Sequence, residues 1–449
     1  MATALSTDLY EITMAAGYVA AGTTGQASFE LSVRSLPPGR SYLIAAGLEP
    51  ALEYLEAFRF TSIDIEFLRS VPGLRNLPAQ FFDEFLPVVR FTGDLWAVPE
   101  GTVVFPQEPL LRVTAPLVEA QLVETALLSI VTFQTSVASR AARIVDAAEG
   151  RPVFEFGARR AHGPEAGVLA ARGAYVGGCG GTSMIEAGYR YGLPLTGTMA
   201  HSWVMCFETE TEAYRHYMNL YGEQAVLLID TYDSLAGVER IVRAGLRPQA
   251  VRIDSGNLVR ESRAVRARLD SAGLEETKIL VSGDLDEFRI AEIVAANAPI
   301  DGFGVGNALS TASDAPALGG VYKLVEVERQ GSVRPTLKLS NGKITYPGRK
   351  QVYRYADDTG AYIHDVLGLA ECEPNNEGRE LLERVMVNGR RSRMAPTLAS
   401  LQRRTSQDVQ RLPIAVRQLR SSREYEVRRS QALESLMFRL RDSLPDIAE

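Results

Sequence analysis

The chain has 449 residues, of which 46% are hydrophobic and 23% are charged, and its formal net charge is -7. This balance is typical of a globular protein of two or three domains, and it argues against nonspecific nucleic-acid binding by the whole surface. The spacing of the 3 cysteines fits neither a disulfide framework nor a zinc site, and no signal peptide or run of about 20 apolar residues is visible, so we expect a cytoplasmic protein without membrane association.

Residues 1–124 predict an N-terminal α+β domain. The segment TDLYEITMAAGYVAAG favours a helix with Thr7 or Asp8 as its N-cap, and Glu11 is placed to complete a capping box with Asp8. ASFELSVRSLP alternates as a half-buried strand does, and YLIAAGLEPALEYLEAF has a helical pattern. The stretch 91–116 is punctuated by proline and glycine and predicts short antiparallel strands.

Residues 125–328 predict an α/β barrel. A long apolar helix pattern is followed by seven or so short apolar runs, such as AVLLID and KILVSGD, with helical patterns between most of them. This rhythm favours an irregular (β/α) barrel; a doubly wound sheet remains the alternative, because periodicity does not show closure. Residues 329–449 predict additional C-terminal strands, with a hairpin at Asn341-Gly342, and an arginine-rich helical tail that packs on the N-terminal domain.

Several of the predicted barrel strands end on polar groups. Active sites of barrels lie at the carboxyl ends of their strands, so we expect these groups to share one cavity. Guanidinium groups there bind phosphate, and carboxylates hold ribose hydroxyls or Mg2+; an ordinary ion pair or helix cap is the alternative. The side chains concerned are Arg159, Thr182, Ser183, His201, Asp230, Arg252, Asp254 and Ser255.

Two glycine-bearing loops, VSGDLD and GFGVGN, follow late strands of the predicted barrel. Backbone N–H groups in such loops cradle phosphate, and barrels commonly keep a phosphate site after their last two strands, although each loop alone is equally well a tight turn. Two aromatic residues, Tyr10 and Phe156, are candidates to sandwich a flat ring, the alternative being a core position. The loop candidates are Gly283, Asp284, Gly304 and Gly306.

These motifs together resemble one family. TDLYEITM, FEFGARRAHGP, GGTSMIEAG, GTMAHSW, IDTYDS, VRIDSGN, VSGDLDE, FGVGN and PGRKQVYR occur in the order seen in nicotinate phosphoribosyltransferases. The resemblance implies that nicotinate and 5-phosphoribosyl 1-pyrophosphate give nicotinate mononucleotide and pyrophosphate, a step of NAD salvage. It also implies Mg2+, ATP as a co-substrate whose hydrolysis passes through a phosphohistidine, and a homodimer with a shared active site.

The resemblance also implies roles for individual residues. His201 corresponds to the phosphorylated residue, with Arg252 and Asp254 as the other catalytic groups. Tyr10, supplied by the partner subunit, and Phe156 correspond to the pair that stacks on nicotinate. The remaining substrate-binding positions are Arg159 for anions, Thr182, Ser183 and Ser255 in the polar loops, Asp230 for ribose or Mg2+-pyrophosphate, and Gly283, Asp284, Gly304 and Gly306 for the 5-phosphate and ribose.

Ser183 bears on the choice between acid and amide substrates. Relatives that use nicotinamide carry an aspartate in the matching loop, where a carboxylate would repel nicotinate, so the neutral GTSM favours the acid. Nicotinamide or quinolinate phosphoribosyltransferase and a non-catalytic metabolite-binding relative remain the alternatives.

Overall fold

The computed structural model describes residues 2–23, 25–338, 345–371, 378–420 and 422–443, so the hairpin predicted at Asn341-Gly342 lies outside the described residues. The chain forms two compact units. The first comprises Met1–Thr135, Ala317–Thr397 and Gln407–Glu449, and the second comprises Ser136–Pro316 and Leu398–Ser406. Within the described ranges, no helix combines the length and apolar character needed to cross a membrane.

The strands are numbered in chain order. They are β1 (Gln26–Val33), β2 (Leu43–Ile44), β3 (Asp94–Ala97), β4 (Val103–Val104), β5 (Pro109–Pro116), β6 (Val153–Glu155), β7 (Gly181–Thr182), β8 (Val226–Leu228), β9 (Ala250–Ile253), β10 (Lys278–Val281), β11 (Gly302–Val305), β12 (Gly320–Arg329), β13 (Ser332–Pro335), β14 (Lys350–Ala356), β15 (Tyr362–Leu369), β16 (Arg379–Glu380), β17 (Glu383–Val387), β18 (Arg390–Arg391) and β19 (Val427–Arg429).

The α-helices are numbered in the same way. They are α1 (Leu9–Ala20), α2 (Leu48–Ala57), α3 (Ser62–Ser70), α4 (Leu117–Leu122), α5 (Glu124–Ala147), α6 (Pro164–Val176), α7 (Ile185–Tyr191), α8 (His201–Met205), α9 (Glu210–Tyr221), α10 (Ser234–Arg243), α11 (Leu258–Asp270), α12 (Glu287–Ala295), α13 (Asn307–Ser310), α14 (Leu398–Gln410), α15 (Ile414–Arg417) and α16 (Gln431–Ser443).

The first unit is built on antiparallel strands. Its largest sheet has seven strands in the order β13-β12-β1-β5-β3-β17-β18, and a four-stranded sheet has the order β16-β14-β15-β19. The apolar positions of β1 face the core, where Leu31 is fully buried and Phe29 stacks on Tyr322 of β12 with ring centroids 4.9 Å apart. The C-terminal strands β17 and β18 therefore join the large sheet, whereas β14, β15, β16 and β19 form the four-stranded sheet among themselves.

Two local predictions in the first unit were wrong. Asp8 precedes α1 but makes no side-chain cap; its carboxylate accepts a hydrogen bond from the Thr125 hydroxyl at 2.9 Å, while the buried Glu11 accepts from the amide and hydroxyl of the same threonine. Burial of Glu11 thus overrides the local capping box. The predicted helix over 42–58 begins only at Leu48, because Leu43–Ile44 pairs with β4 as a short buried strand.

The second unit contains the predicted parallel sheet. Its six strands have the order β7-β6-β11-β10-β9-β8. The strand of this sheet that comes last in the sequence, β11, pairs in parallel with the one that comes first, β6. Strands that are consecutive in the sequence normally lie side by side, yet β7 and β8 stand at opposite ends of this order. The sheet therefore curves around a barrel and is open between these two strands. A parallel bridge between Thr182 and Leu195 extends the β7 side toward the opening. The (β/α) barrel is confirmed in this open form, and the doubly wound alternative is excluded.

Side-chain caps fix where three of the barrel helices begin. Asp233 accepts a hydrogen bond from the Ala236 amide at 2.8 Å, Asn257 caps α11 and Asp286 caps α12 in the same manner. Each cap satisfies an N–H group that the helix leaves free at its first turn. Each of the loops that follow β8, β9 and β10 is therefore fixed where it enters its helix.

Candidate active site

A cavity of about 940 Å³ opens where the strands of the second unit end. Ten of the sequence-predicted site residues line it, although they come from separate segments of the chain: the carboxyl ends of β6, β7, β9, β10 and β11 and the start of α8. They are Phe156, Arg159, Ser183, His201, Arg252, Asp254, Gly283, Asp284, Gly304 and Gly306.

His201 occupies the first position of α8 at the edge of this cavity. Its Nδ1 lies 3.2 Å from the Thr231 hydroxyl, and its Nε2 lies 3.8 Å from a carboxylate oxygen of Asp254. The side chain is 39% exposed, so the ring is held but remains open to a ligand. An imidazole in this setting has a nitrogen available for proton or phosphoryl transfer.

Two aspartates at the ends of β8 and β9 are linked by hydrogen bonds. Asp230 accepts hydrogen bonds from the Asp254 amide at 2.9 Å and from the Ser255 hydroxyl at 2.7 Å, and its other oxygen is buried without a partner among the described residues. Asp254 in turn accepts a hydrogen bond from Ser282 of the next loop. Asp230 therefore orients Asp254, and Asp254 is the one of the two that lines the cavity.

Three arginines, Arg159, Arg160 and Arg252, line the cavity. Arg252 donates to the Met199 carbonyl at 2.9 Å, and its Nε is buried without a partner in the described part of the chain. Burial lowers the pKa of Arg252, nearby Asp254 and Asp230 raise it, and Arg159 adds a repulsion that lowers it. Arginine keeps its charge in proteins, so this wall attracts anions.

Glycine is required at two positions of the cavity wall. Gly283 has φ +92°, and a Cβ there would lie 2.0 Å from the Asp254 carbonyl oxygen. At Gly304 a Cβ would lie 2.4 Å from the ring of Phe156, so this ring rests directly on bare backbone. The two glycines let the loops approach closely and leave the Phe156 ring at the cavity surface.

Three predicted residues hold the wall instead of lining it, and one belongs to the other unit. Thr182 is buried and donates to a carboxylate oxygen of Glu155 at 2.6 Å, and Ser255 and Asp230 bond to each other as described above. Tyr10 lies on α1 of the first unit and is 47% exposed. Burial and the neighbouring carboxylates, Glu124 first among them, raise its pKa, so its hydroxyl stays neutral.

Sequence reasoning missed several residues at this site. Thr231 contacts His201, Ser282 bonds Asp254, and Met199 and Asn307 line the cavity. Each lies within a few residues of a predicted strand end, which is a signal for position but not for role. Glu155 was also missed, because an acid inside the apolar run VFEF has no distinguishing pattern in its neighbours.

Three family models together match most of the chain. The model described as nicotinate phosphoribosyltransferase (NAPRTase) N-terminal domain matches residues 5–132, and the model of the corresponding C-terminal domain matches residues 374–437. The model of the quinolinate phosphoribosyl transferase C-terminal domain matches residues 137–315. The matches thus cover both units.

Individual relatives agree with these models. Nicotinate phosphoribosyltransferase pncB2 of Mycobacterium tuberculosis is 48% identical over 99% of this chain and 95% of its own length, and the Bacillus subtilis nicotinate phosphoribosyltransferase is 40% identical over 84% of this chain and 78% of its own. The crystal structure of human nicotinic acid phosphoribosyltransferase superposes with a TM-score of 0.83 at 30% identity, covering 97% of this chain and 99% of that one.

Proposed function

This chain belongs to the nicotinate phosphoribosyltransferase family, and we propose on that premise that its cavity joins nicotinate to 5-phosphoribosyl 1-pyrophosphate. The products are nicotinate mononucleotide and pyrophosphate, and the reaction serves the salvage of NAD. The observation that carries the proposal is the meeting of His201, three arginines and two glycine loops around one cavity. The quinolinate alternative is less favoured, because that model matches the barrel alone, whereas the nicotinate models match the segments before and after it.

The transfer requires binding and orientation more than acid–base catalysis. The nicotinate ring nitrogen uses its lone pair to form the bond to C1 of the ribose, while the bond from C1 to the pyrophosphate oxygen breaks with its electrons on the oxygen. No proton has to be removed from the pyridine nitrogen. Arg252 and Arg159 stabilise the charge that develops on the leaving group, and the Phe156 ring, seated on Gly304, orients the nicotinate ring.

The ATP step is assigned to His201. A ring nitrogen attacks the γ-phosphorus of ATP, a nitrogen–phosphorus bond forms, and the bond to the bridging oxygen breaks to release ADP. Water later cleaves the phosphohistidine and yields phosphate. Thr231, 3.2 Å from Nδ1, and Asp254, 3.8 Å from Nε2, hold the ring for this step.

The carboxylates of the site fit a magnesium ion that arrives with the substrate. Among the described residues, no group of three or more His, Cys, Asp or Glu side chains could hold a metal ion. Magnesium in phosphate-transfer sites is usually held by one or two carboxylates together with substrate phosphates. Asp254, which lines the cavity, would serve as such a carboxylate, with Asp230 behind it holding it in place, and the ion would neutralise part of the pyrophosphate charge.

Two parts of the proposal concern a second copy of the chain. We propose a homodimer in which Tyr10 of one protomer completes the nicotinate site of its partner by stacking opposite Phe156. The exposure of Tyr10 on α1 supports this assignment.

One assay tests the function directly. The protein is mixed with nicotinate, 5-phosphoribosyl 1-pyrophosphate, Mg2+ and ATP, and the mononucleotide is measured by chromatography; parallel reactions contain nicotinamide or quinolinate. Of the three pyridine substrates, we expect only nicotinate to give product, and we expect loss of product when Mg2+ is chelated. Product from quinolinate but not from nicotinate would overturn the proposal.

A further inference from the structure

One buried carboxylate connects three loops of the cavity wall. Glu155 is the last residue of β6, the strand that lies between β7 and β11, and its side chain is fully buried. One carboxylate oxygen accepts the Gly157 amide at 2.5 Å and the Ser310 hydroxyl at 2.7 Å. The other oxygen accepts the Thr182 hydroxyl at 2.6 Å. All three partners are donors, which is the arrangement that an ionised carboxylate satisfies best.

The three partners belong to three different parts of the wall. Gly157 follows Phe156, Thr182 precedes Ser183, and Ser310 ends α13, the short helix that follows Gly306. The main chain of Glu155 adds a fourth bond, because its carbonyl accepts the Ser183 amide at 3.0 Å. The carboxylate is thus bonded to the loops that carry the stacking ring, the acid-or-amide position and the last glycine turn.

The backbone packs tightly around this carboxylate. A Cβ at Gly157 would lie 1.8 Å from the Ser310 hydroxyl oxygen and 2.6 Å from the Gly306 carbonyl oxygen. The β6 and β11 loops therefore approach as closely as their backbones allow. A hydrogen-bonding group at their junction sets their spacing, whereas a change in its length or charge must shift at least one loop.

We propose that Glu155 is a positioning residue that couples the nicotinate subsite to the ribose-phosphate subsite of the proposed reaction. It contacts neither substrate and acts through the Thr182 link on Ser183 and through the Ser310 link on the Gly306 loop. The inference rests on the proposed function for the names of the two subsites. The coupling of the loops themselves is independent of which reaction the cavity performs.

Single-link variants separate the two arms. In Thr182→Val the KM for nicotinate should rise about tenfold or more, because the variant loses one hydrogen bond to a charged group. The KM for 5-phosphoribosyl 1-pyrophosphate should change less than about threefold. Ser310→Ala should show the reverse pattern. Thr277→Val and Ser262→Ala are the matched controls, because both hydroxyls are buried in the same unit and donate to carbonyl groups outside the Glu155 network.

Glu155→Gln tests the centre of the network. The amide keeps the size of the side chain but replaces one acceptor by a donor, so both KM values should rise together and kcat should fall. Equal effects of Thr182→Val and Ser310→Ala on both substrates, or none beyond those of the controls, would overturn the assignment of separate arms.

Hydrogen exchange supplies a readout that does not depend on turnover. Exchange measured by mass spectrometry should rise in Glu155→Gln for peptides that cover 153–160, 181–185 and 305–311, and should rise in Ser310→Ala for the first and third of these. If the wild-type protein makes no mononucleotide, the proposed function fails while this measurement still tests the coupling. Unchanged exchange in all three peptides of a folded Glu155→Gln variant would refute the coupling whatever the reaction.

Discussion

At the scale of single residues, His201 is the group on which the proposed ATP step depends. Replacing it by Ala removes the phosphoryl acceptor but leaves the arginines and the glycine loops in place. We expect the His201→Ala variant to lose the stimulation of turnover by ATP while retaining a slow, ATP-independent formation of mononucleotide. Initial rates with and without ATP check this.

The control for this variant is His216→Ala. His216 lies on α9 with its side chain 56% exposed and pairs with Glu212 on the same helix. It should keep the wild-type ratio of the two rates. An ATP stimulation that survives in His201→Ala would contradict the phosphohistidine assignment.

Ser183 is the residue at which the preference for an acid over an amide is tested. Its side chain lines the cavity and its amide is fixed by the Glu155 carbonyl, so a carboxylate placed there would face the substrate. In Ser183→Asp, kcat/KM for nicotinate should fall more than about tenfold, or about 1.4 kcal/mol, through like-charge repulsion. Ser183→Asn, which has the same shape without the charge, should lose less, and equal losses in the two variants would exclude a charge effect.

At the scale of loops, Gly283 shows how a backbone contact supports the site. Alanine at φ +92° is strained, and its Cβ would meet the Asp254 carbonyl oxygen at 2.0 Å. We expect Gly283→Ala to shift Asp254 and to lower kcat/KM for 5-phosphoribosyl 1-pyrophosphate about tenfold or more. Steady-state kinetics and the melting temperature are the measurements.

Gly245→Ala is the matched control for this loop variant. Gly245 also has a positive φ, +69°, but a Cβ there would meet nothing within 4 Å. Both variants carry the backbone strain of a left-handed position, about 1–2 kcal/mol per residue, yet Gly283→Ala alone adds a collision in the cavity wall. A similar loss of activity in the two variants would show that the collision does not matter.

The sequence predicted the parts of the site that follow a strand, because strand ends in a barrel converge whatever the residues between them. This reasoning brought Ser183, Asp254 and Gly283 to one cavity from separate segments. The strand predicted before His201 is absent, since the segment 195–200 forms only a single bridge at Leu195, and His201 reaches the cavity at the start of α8. Strand-end reasoning could not separate a residue that faces the cavity from one that supports it, since Asp230 and Thr182 occupy equivalent strand ends but turn their oxygens toward the protein. That difference depends on which loop lies beside which, and so on tertiary contacts.

The same limit applies to the elements. The alternation of short apolar runs and helices predicted the parallel sheet, but closure follows from the pairing of β11 with β6, two strands about 150 residues apart, which no local pattern encodes. The capping box at Asp8 failed for a related reason, because Thr125 competes for the same carboxylates from a distant helix. Long-range partners thus decided each of these cases.

At the scale of the whole molecule, a buried acid in the first unit links stability to pH. Burial, and the charge of nearby Asp365, raise the pKa of Glu108 well above its ordinary value, although Arg354 opposes this. A raised folded-state pKa means that the native state binds the proton more tightly than the unfolded chain. The contribution of Glu108 to stability is therefore fully present below its unfolded pKa and is lost as the pH rises through its folded pKa.

Glu108→Gln removes this titration. As the pH rises above 5, the free energy of unfolding of the variant should fall less than that of the wild type. Urea denaturation at several pH values measures this free energy. Glu53→Gln, on the exposed side of α2, should keep the wild-type slope. A wild-type slope in Glu108→Gln would show that the pKa of Glu108 is the same in the folded and the unfolded protein.

His201 lies beside the opening between β7 and β8, where the barrel has the fewest hydrogen bonds between strands. Ladder pairing stops at Leu195, and beyond it the described rim is joined by the Arg252 bond to Met199 and the Thr231 contact with the imidazole. Side-chain tethers are altered by single substitutions that leave every strand intact. We therefore expect substitutions at this opening to change the proposed ATP step without changing which pyridine the site accepts.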